Sequence, residues 1–171
     1  MKYLPALLLI FSLIFPTCQP EREAPGPPVR LDEDVEEIIR VTLESMAGPV
    51  SLHLYLGGTG ETAAPETRAI LEFMAVTSPQ ITLLDYSLDP AGGDADPGFS
   101  PEVEHGPVVR IDGTNKGSLF FYGLPERKEL PPFLDGVLMA SGYPTDLPPD
   151  VQTFLSGIDH DVQIRIFTSP D

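Results

Sequence analysis

One cysteine, Cys18, stands at the end of an apolar leader, and no residue after it carries a thiol. The body of the chain therefore folds without a disulfide, and its stability has to come from a packed apolar core. The same absence removes thiolate nucleophiles, cysteine metal ligands and dithiol redox chemistry from that body.

Lys2 gives the leader a positive start, and Leu4 to Phe15 is apolar apart from Pro5 and Ser12. That run has the length of a secretory h-region and falls short of the roughly 20 apolar residues a membrane-spanning helix needs. Export to the cell envelope or periplasm is the expectation. Gln19 to Pro28 is polar and proline-rich, a composition that cannot bury a core and acts as a stiff, extended spacer. Leader, cysteine and spacer in this order resemble a bacterial lipoprotein signal. The resemblance implies acylation of Cys18 and attachment to a membrane through an N-terminal lipid. Phe15-Pro16-Thr17-Cys18 departs from that family's preference for small residues before the cysteine.

The chain carries 26 acidic residues against 10 Lys and Arg, a net charge of -16. Such a field repels phosphate backbones and supplies no counterion release, so nucleic acid is excluded as an expected partner. Beyond the spacer, the length suits one domain with a real core.

Hydrophobic periodicity organises that domain. Asp32 and Asp34 suit the start of a helix that places Val35, Ile38, Ile39, Leu43 and Met46 on one face and ends before Gly48-Pro49. Val50, Leu52, Leu54 and Leu56 alternate with Ser51, His53 and Tyr55, which predicts a strand. After the turn Gly57-Gly58-Thr59-Gly60, Pro65 opens a second helix with Ile70, Leu71, Phe73 and Met74 inward, and Ile81 to Tyr86 predicts a second strand. A long segment rich in Asp, Pro and Gly follows from Ser87 to Gly106. Val108 to Ile111 and Ser118 to Tyr122 then flank Asp112 to Gly117, whose residues tolerate left-handed backbone and predict an antiparallel hairpin. Pro131 and Pro132 open a helix burying Phe133, Leu134, Val137 and Leu138, closed by Gly142 with Pro144 beyond. A short helix, Asp150 to Ser156, and a strand from Val162 to Phe167 complete the expected elements.

The order α-β-α-β-β-β-α resembles the thioredoxin-like plan, an α/β fold with a mixed four-stranded sheet flanked by helices. Gly106-Pro107-Val108 is similar to that fold's cis-proline at the start of a strand. Gly117 to Leu130, with Phe121, Gly123, Pro125 and Glu129, is similar to the G-x-x-F-x-G-x-P-x-x-x-E-F signature of tandem-thioredoxin protein disulfide oxidoreductases, which are glutaredoxin-like. It also resembles the N-terminal domain of the alkyl hydroperoxide reductase flavoprotein subunit. The leader reads as a signal peptide over residues 1–18 and the spacer as a tether over 19–31; the resemblance, which runs from about Val35 onward, implies a thioredoxin-like unit over 32–143. Residues 144–171 would then be the connector helix and first strand of a truncated second unit. By register, the family's C-x-x-C falls on Glu61 and Ala64, so the first unit is redox-inactive.

Four further constellations have other readings. Gly58 to Ala63 with Asp85 fits the letter of a dinucleotide fingerprint, but Glu61 would face the pyrophosphate, and an antiparallel hairpin follows where that fold needs a parallel crossover. Asp94, Asp96, Ser100, Glu102 and Glu104 offer oxygens for a hard cation, yet Phe99 stands where an EF-hand needs glycine, and a solvated loop is the better reading. His53, His105 and His160 lack zinc spacing and read as surface or hydrogen-bonded residues. Phe120, Phe121 and Tyr122 read as sheet residues facing two sides.

No metal and no cofactor are expected. The expected function is an exported, lipid-tethered, redox-inactive module that binds or positions a protein or peptide in a groove at Gly106, Pro107 and Val108. The alternative is the N-terminal portion of a disulfide oxidoreductase whose C-x-x-C unit is missing or lies on another chain. If the chain is complete, Val162 to Phe167 should join the edge of the first sheet. The anchoring expectation has a direct check: Cys18→Ala should abolish metabolic labelling by palmitate and block processing of the leader. A native protein that takes up no label would refute acylation.

Overall fold

A computed structural model describes residues 29–57, 63–87, 106–160, 162 and 164–166. Cys18, the leader and most of the spacer lie outside them, as do Glu61, the acidic segment from Asp94 to His105, and Phe167.

The elements follow in the order α1 (Glu33–Leu43), β1 (Val50–Leu56), α2 (Ala64–Thr77), β2 (Ile81–Ser87), β3 (Val108–Asp112), β4 (Leu119–Tyr122), α3 (Leu130–Ala140) and α4 (Pro149–Ser156). The sheet runs β2-β1-β3-β4, with β1 parallel to β2 and antiparallel to β3, and the β3–β4 pair antiparallel. This is the mixed four-stranded α/β arrangement that the element order predicts. Ile39 and Leu43 of α1, Ile70, Leu71 and Met74 of α2, and Phe133, Leu134 and Val137 of α3 form one core with Val50, Leu52, Leu54, Val109 and Ile111. Among the described residues no helix is long and apolar enough to cross a membrane.

Several details differ from the periodicity. The alternation along β1 suggests one buried face, yet Tyr55 is only 1% exposed and His53 8%. A central strand has a neighbour on each side, and here both its faces are covered: Tyr86 of β2 stacks on both His53 and Tyr55, with ring centroids 5.6 and 5.3 Å apart. Ile38, expected inside, is 48% exposed. Successive helical residues diverge by about 100°, so α1 turns Ile39 and Leu43 inward and leaves Ile38 on the flank. Helix α1 also stops at Leu43, five residues before the expected Gly48 stop, and Met46 is buried from the following turn. The expected strand from Val162 to Phe167 is not formed among the described residues. Val162, Ile164 and Ile166 lie outside the sheet, the last two 79% and 83% exposed. Apolar alternation is only a propensity, and a strand exists only where a neighbour accepts its backbone hydrogen bonds.

The C-terminus of α3 is closed by several hydrogen bonds. Gly142 takes φ +88°, its N–H donates to Met139 O at 3.1 Å, and the Tyr143 N–H donates to Leu138 O at 3.1 Å. This pair of bonds is a Schellman cap, and Pro144 then prevents continuation. The β3–β4 turn supplies further donors: the Thr114 N–H reaches Ala140 O at 2.9 Å, and Asn115 Nδ2 reaches Met139 O at 2.6 Å. The approach is so close that a Cβ on Gly113 would lie 2.0 Å from Ala140 O. Nearby, the Ala47 N–H donates to Ser141 Oγ at 3.1 Å, tying the α1–β1 loop to the same corner.

Two substitutions test these contacts. Gly113→Ala has to push the hairpin off the backbone of α3, and should cost about 1–3 kcal/mol or more by the scale of overpacked cores; an unchanged urea midpoint would refute the close approach. Arg127, in contrast, sits at φ +50°, where a side chain collides with its own backbone. Arg127→Gly should stabilise by about 1 kcal/mol and Arg127→Val should destabilise, both read from denaturant midpoints.

Candidate functional site

The residues expected to form a groove assemble at one end of the sheet. Val108 pairs with Tyr55 near the C-terminal end of β1, and continuing that register brings Pro107 level with Leu56 and Gly106 level with Gly57. Gly57 has φ +117° and turns the chain out of β1 toward α2. The Gly106–Pro107 peptide bond is cis, as the resemblance implies. Val108 is fully buried, Pro107 is buried and Gly106 is half-buried. Among the described residues neither the N–H nor the C=O of Gly106 has a hydrogen-bond partner.

Of the two positions matching the family's redox pair, Glu61 lies outside the described residues, and Ala64 is the first residue of α2. Pro65 occupies the first turn, where its missing N–H leaves no bond unmade. A methyl group thus stands at the helix start, where the dipole would otherwise favour a thiolate.

The signature residues act on the frame around Pro107. Phe121 of β4 packs edge-on against Phe133 of α3, with ring centroids 5.2 Å apart. Gly123 takes φ +106° at the end of β4, and its N–H donates to Pro107 O at 2.9 Å. Pro125 is buried, and the Glu129 N–H closes a turn on Glu126 O at 2.9 Å, leading through the 3-10 turn Arg127–Glu129 into α3. The signature therefore joins the strand after Pro107 to the helix behind it. Phe120 and Tyr122 point to the opposite face from Phe121 and are partly exposed, as expected for an edge strand.

Sequence reasoning missed a polar cluster on the sheet face opposite the helices. His53 Nε2 lies 3.2 Å from Asp112 Oδ2, and Arg110 Nη2 lies 3.0 Å from His53 Nδ1. Arg110 Nε is 2.9 Å from the same Asp112 oxygen, an ion pair without the alignment of a hydrogen bond. The His53 ring thus has the Arg110 guanidinium at Nδ1 and the Asp112 carboxylate beside Nε2. Arg110 also lies 5.9 Å above the Tyr55 ring. The signal was available: His53, Arg110 and Asp112 occupy alternate positions on paired strands, and the register that unites them is a tertiary fact. Because Nδ1 is covered by a cation, the cluster is not arranged as a general base.

The competing motifs find other partners. Asp85, the acid of the dinucleotide pattern, is bound by Arg68 Nη1 of α2 at 2.9 Å, and Glu72 lies 3.6 Å from the same nitrogen. Partial burial works against the Arg68 charge, but the hydrogen bond and charge of Asp85, followed by Glu72, raise the guanidinium above its ordinary value. His160 is exposed beside Asp159. His105 and the oxygens from Asp94 to Glu104 lie outside the described residues. Among the described residues no group of three or more His, Cys, Asp or Glu side chains is placed to hold a metal ion.

No protein-family model matches the chain, and no curated protein does. Solved structures do. A protein disulfide oxidoreductase from Aeropyrum pernix superposes with a TM-score of 0.58 at 22% identity, over 75% of this chain and 56% of that one. The alkylhydroperoxide reductase AhpF from Enterococcus faecalis, in a structure of a cysteine variant, gives 0.55 at 17% identity, over 72% of this chain and 58% of that one. Its NTD_N/C domain, solved separately, gives 0.55 at 17%, over 72% and 59%. The chain thus spans less than two thirds of each of these three structures. The mixed four-stranded sheet, the helices on it and these superpositions establish that the chain adopts the thioredoxin-like fold.

Proposed function

We propose that this protein is an exported, lipid-tethered, redox-silent module that binds an extended segment of another polypeptide. One observation carries the reading: the thioredoxin-like frame is present while the chain's single cysteine, Cys18, precedes it. Disulfide exchange needs an attacking thiolate and a resolving thiol. The frame holds neither, so what it can offer a partner is shape and backbone. Gly106 supports this reading because its N–H and C=O sit beside the open end of β1 with no partner among the described residues. An extended peptide laid there gains main-chain hydrogen bonds of the kind that give strand addition its affinity. The leader and Cys18 support the tether, which would hold the domain at a membrane while the proline-rich spacer sets its reach.

A second reading is that the chain contributes to a disulfide oxidoreductase whose C-x-x-C lies in another unit or on another chain. The exposure of Phe154 on α4 and of Ile164 and Ile166 favours it, because apolar side chains in that number are what an adjoining unit would bury.

Three measurements separate these readings. The purified protein should leave the rate of insulin reduction by dithiothreitol at background; turnover by the cysteine-free body would overturn redox silence. Titration with alkylated insulin B chain, an unstructured polypeptide, should shift the amide resonances of Gly57, Gly106 and Val108 first. Shifts confined to α4 would place binding elsewhere and refute the groove. Reading the coding sequence beyond the codon for Asp171 tests the second reading, which requires a C-x-x-C and a further thioredoxin-like unit there or in a partner.

A further inference from the structure

We draw no further inference here: the strongest candidate, the exposed apolar face of α4 at Phe154 and Leu155 together with Val162, Ile164 and Ile166 after it, carries nothing because nothing in the structure shows what covers it.

Discussion

Burial of β1 on both faces is the constraint on which the rest of the structure depends. A strand in that position must be hydrogen-bonded along both edges, because no water reaches its backbone. β2 supplies one edge in parallel and β3 the other in antiparallel register. On one face Val50, Leu52 and Leu54 accept the three helices. On the other, His53 and Tyr55 need polar and aromatic neighbours, which Tyr86, Arg110 and Asp112 provide. A buried imidazole without those partners would be costly to desolvate, since an unsatisfied buried polar group costs about 1–3 kcal/mol. The polar cluster is thus a consequence of placing His53 at the centre of the sheet, and that is reason enough for its presence without a catalytic role.

The second organising feature is the way α3 is held at both ends. Its N-terminus is fed by the chain leaving β4, where Gly123 closes on Pro107 O and Phe121 packs against Phe133. Its C-terminal carbonyls are met by the Schellman turn and by the β3–β4 hairpin. The hairpin therefore contacts the helix at both extremities, and the strand that follows Pro107 is locked between them. The signature that made the chain legible as thioredoxin-like serves this frame and need not touch a ligand.

Function separates from fold at the start of α2. By the resemblance Ala64, the first residue of α2, falls on one of the family's redox positions, and no residue after Cys18 carries a thiol. Fold alone does not assign activity. The likeness to a disulfide oxidoreductase and to an alkylhydroperoxide reductase is a statement about architecture, at 22% and 17% identity. The proposed peptide binding is assigned to the end of the sheet where Gly106 meets the turn out of β1.

The order of elements from α1 to α4, the inward residues of α2 and α3, the hairpin at Asp112 to Gly117 and the lack of a thiol after Cys18 were all determined by sequence alone. Each rests on a local cause: the 3.6-residue period, a proline in the first helical turn, residues tolerant of left-handed backbone, and a count of thiols. The flank position of Ile38, the second buried face of β1, the His53–Arg110–Asp112 cluster and the close seat of Gly113 on Ala140 were decided only by tertiary structure. So was the state of Val162, Ile164 and Ile166, whose alternation reads as a strand but has no neighbour to pair with among the described residues. The reason is common to all of them: periodicity states which way a side chain points from its own element, whereas burial and pairing depend on what another part of the chain, distant in sequence, places opposite it.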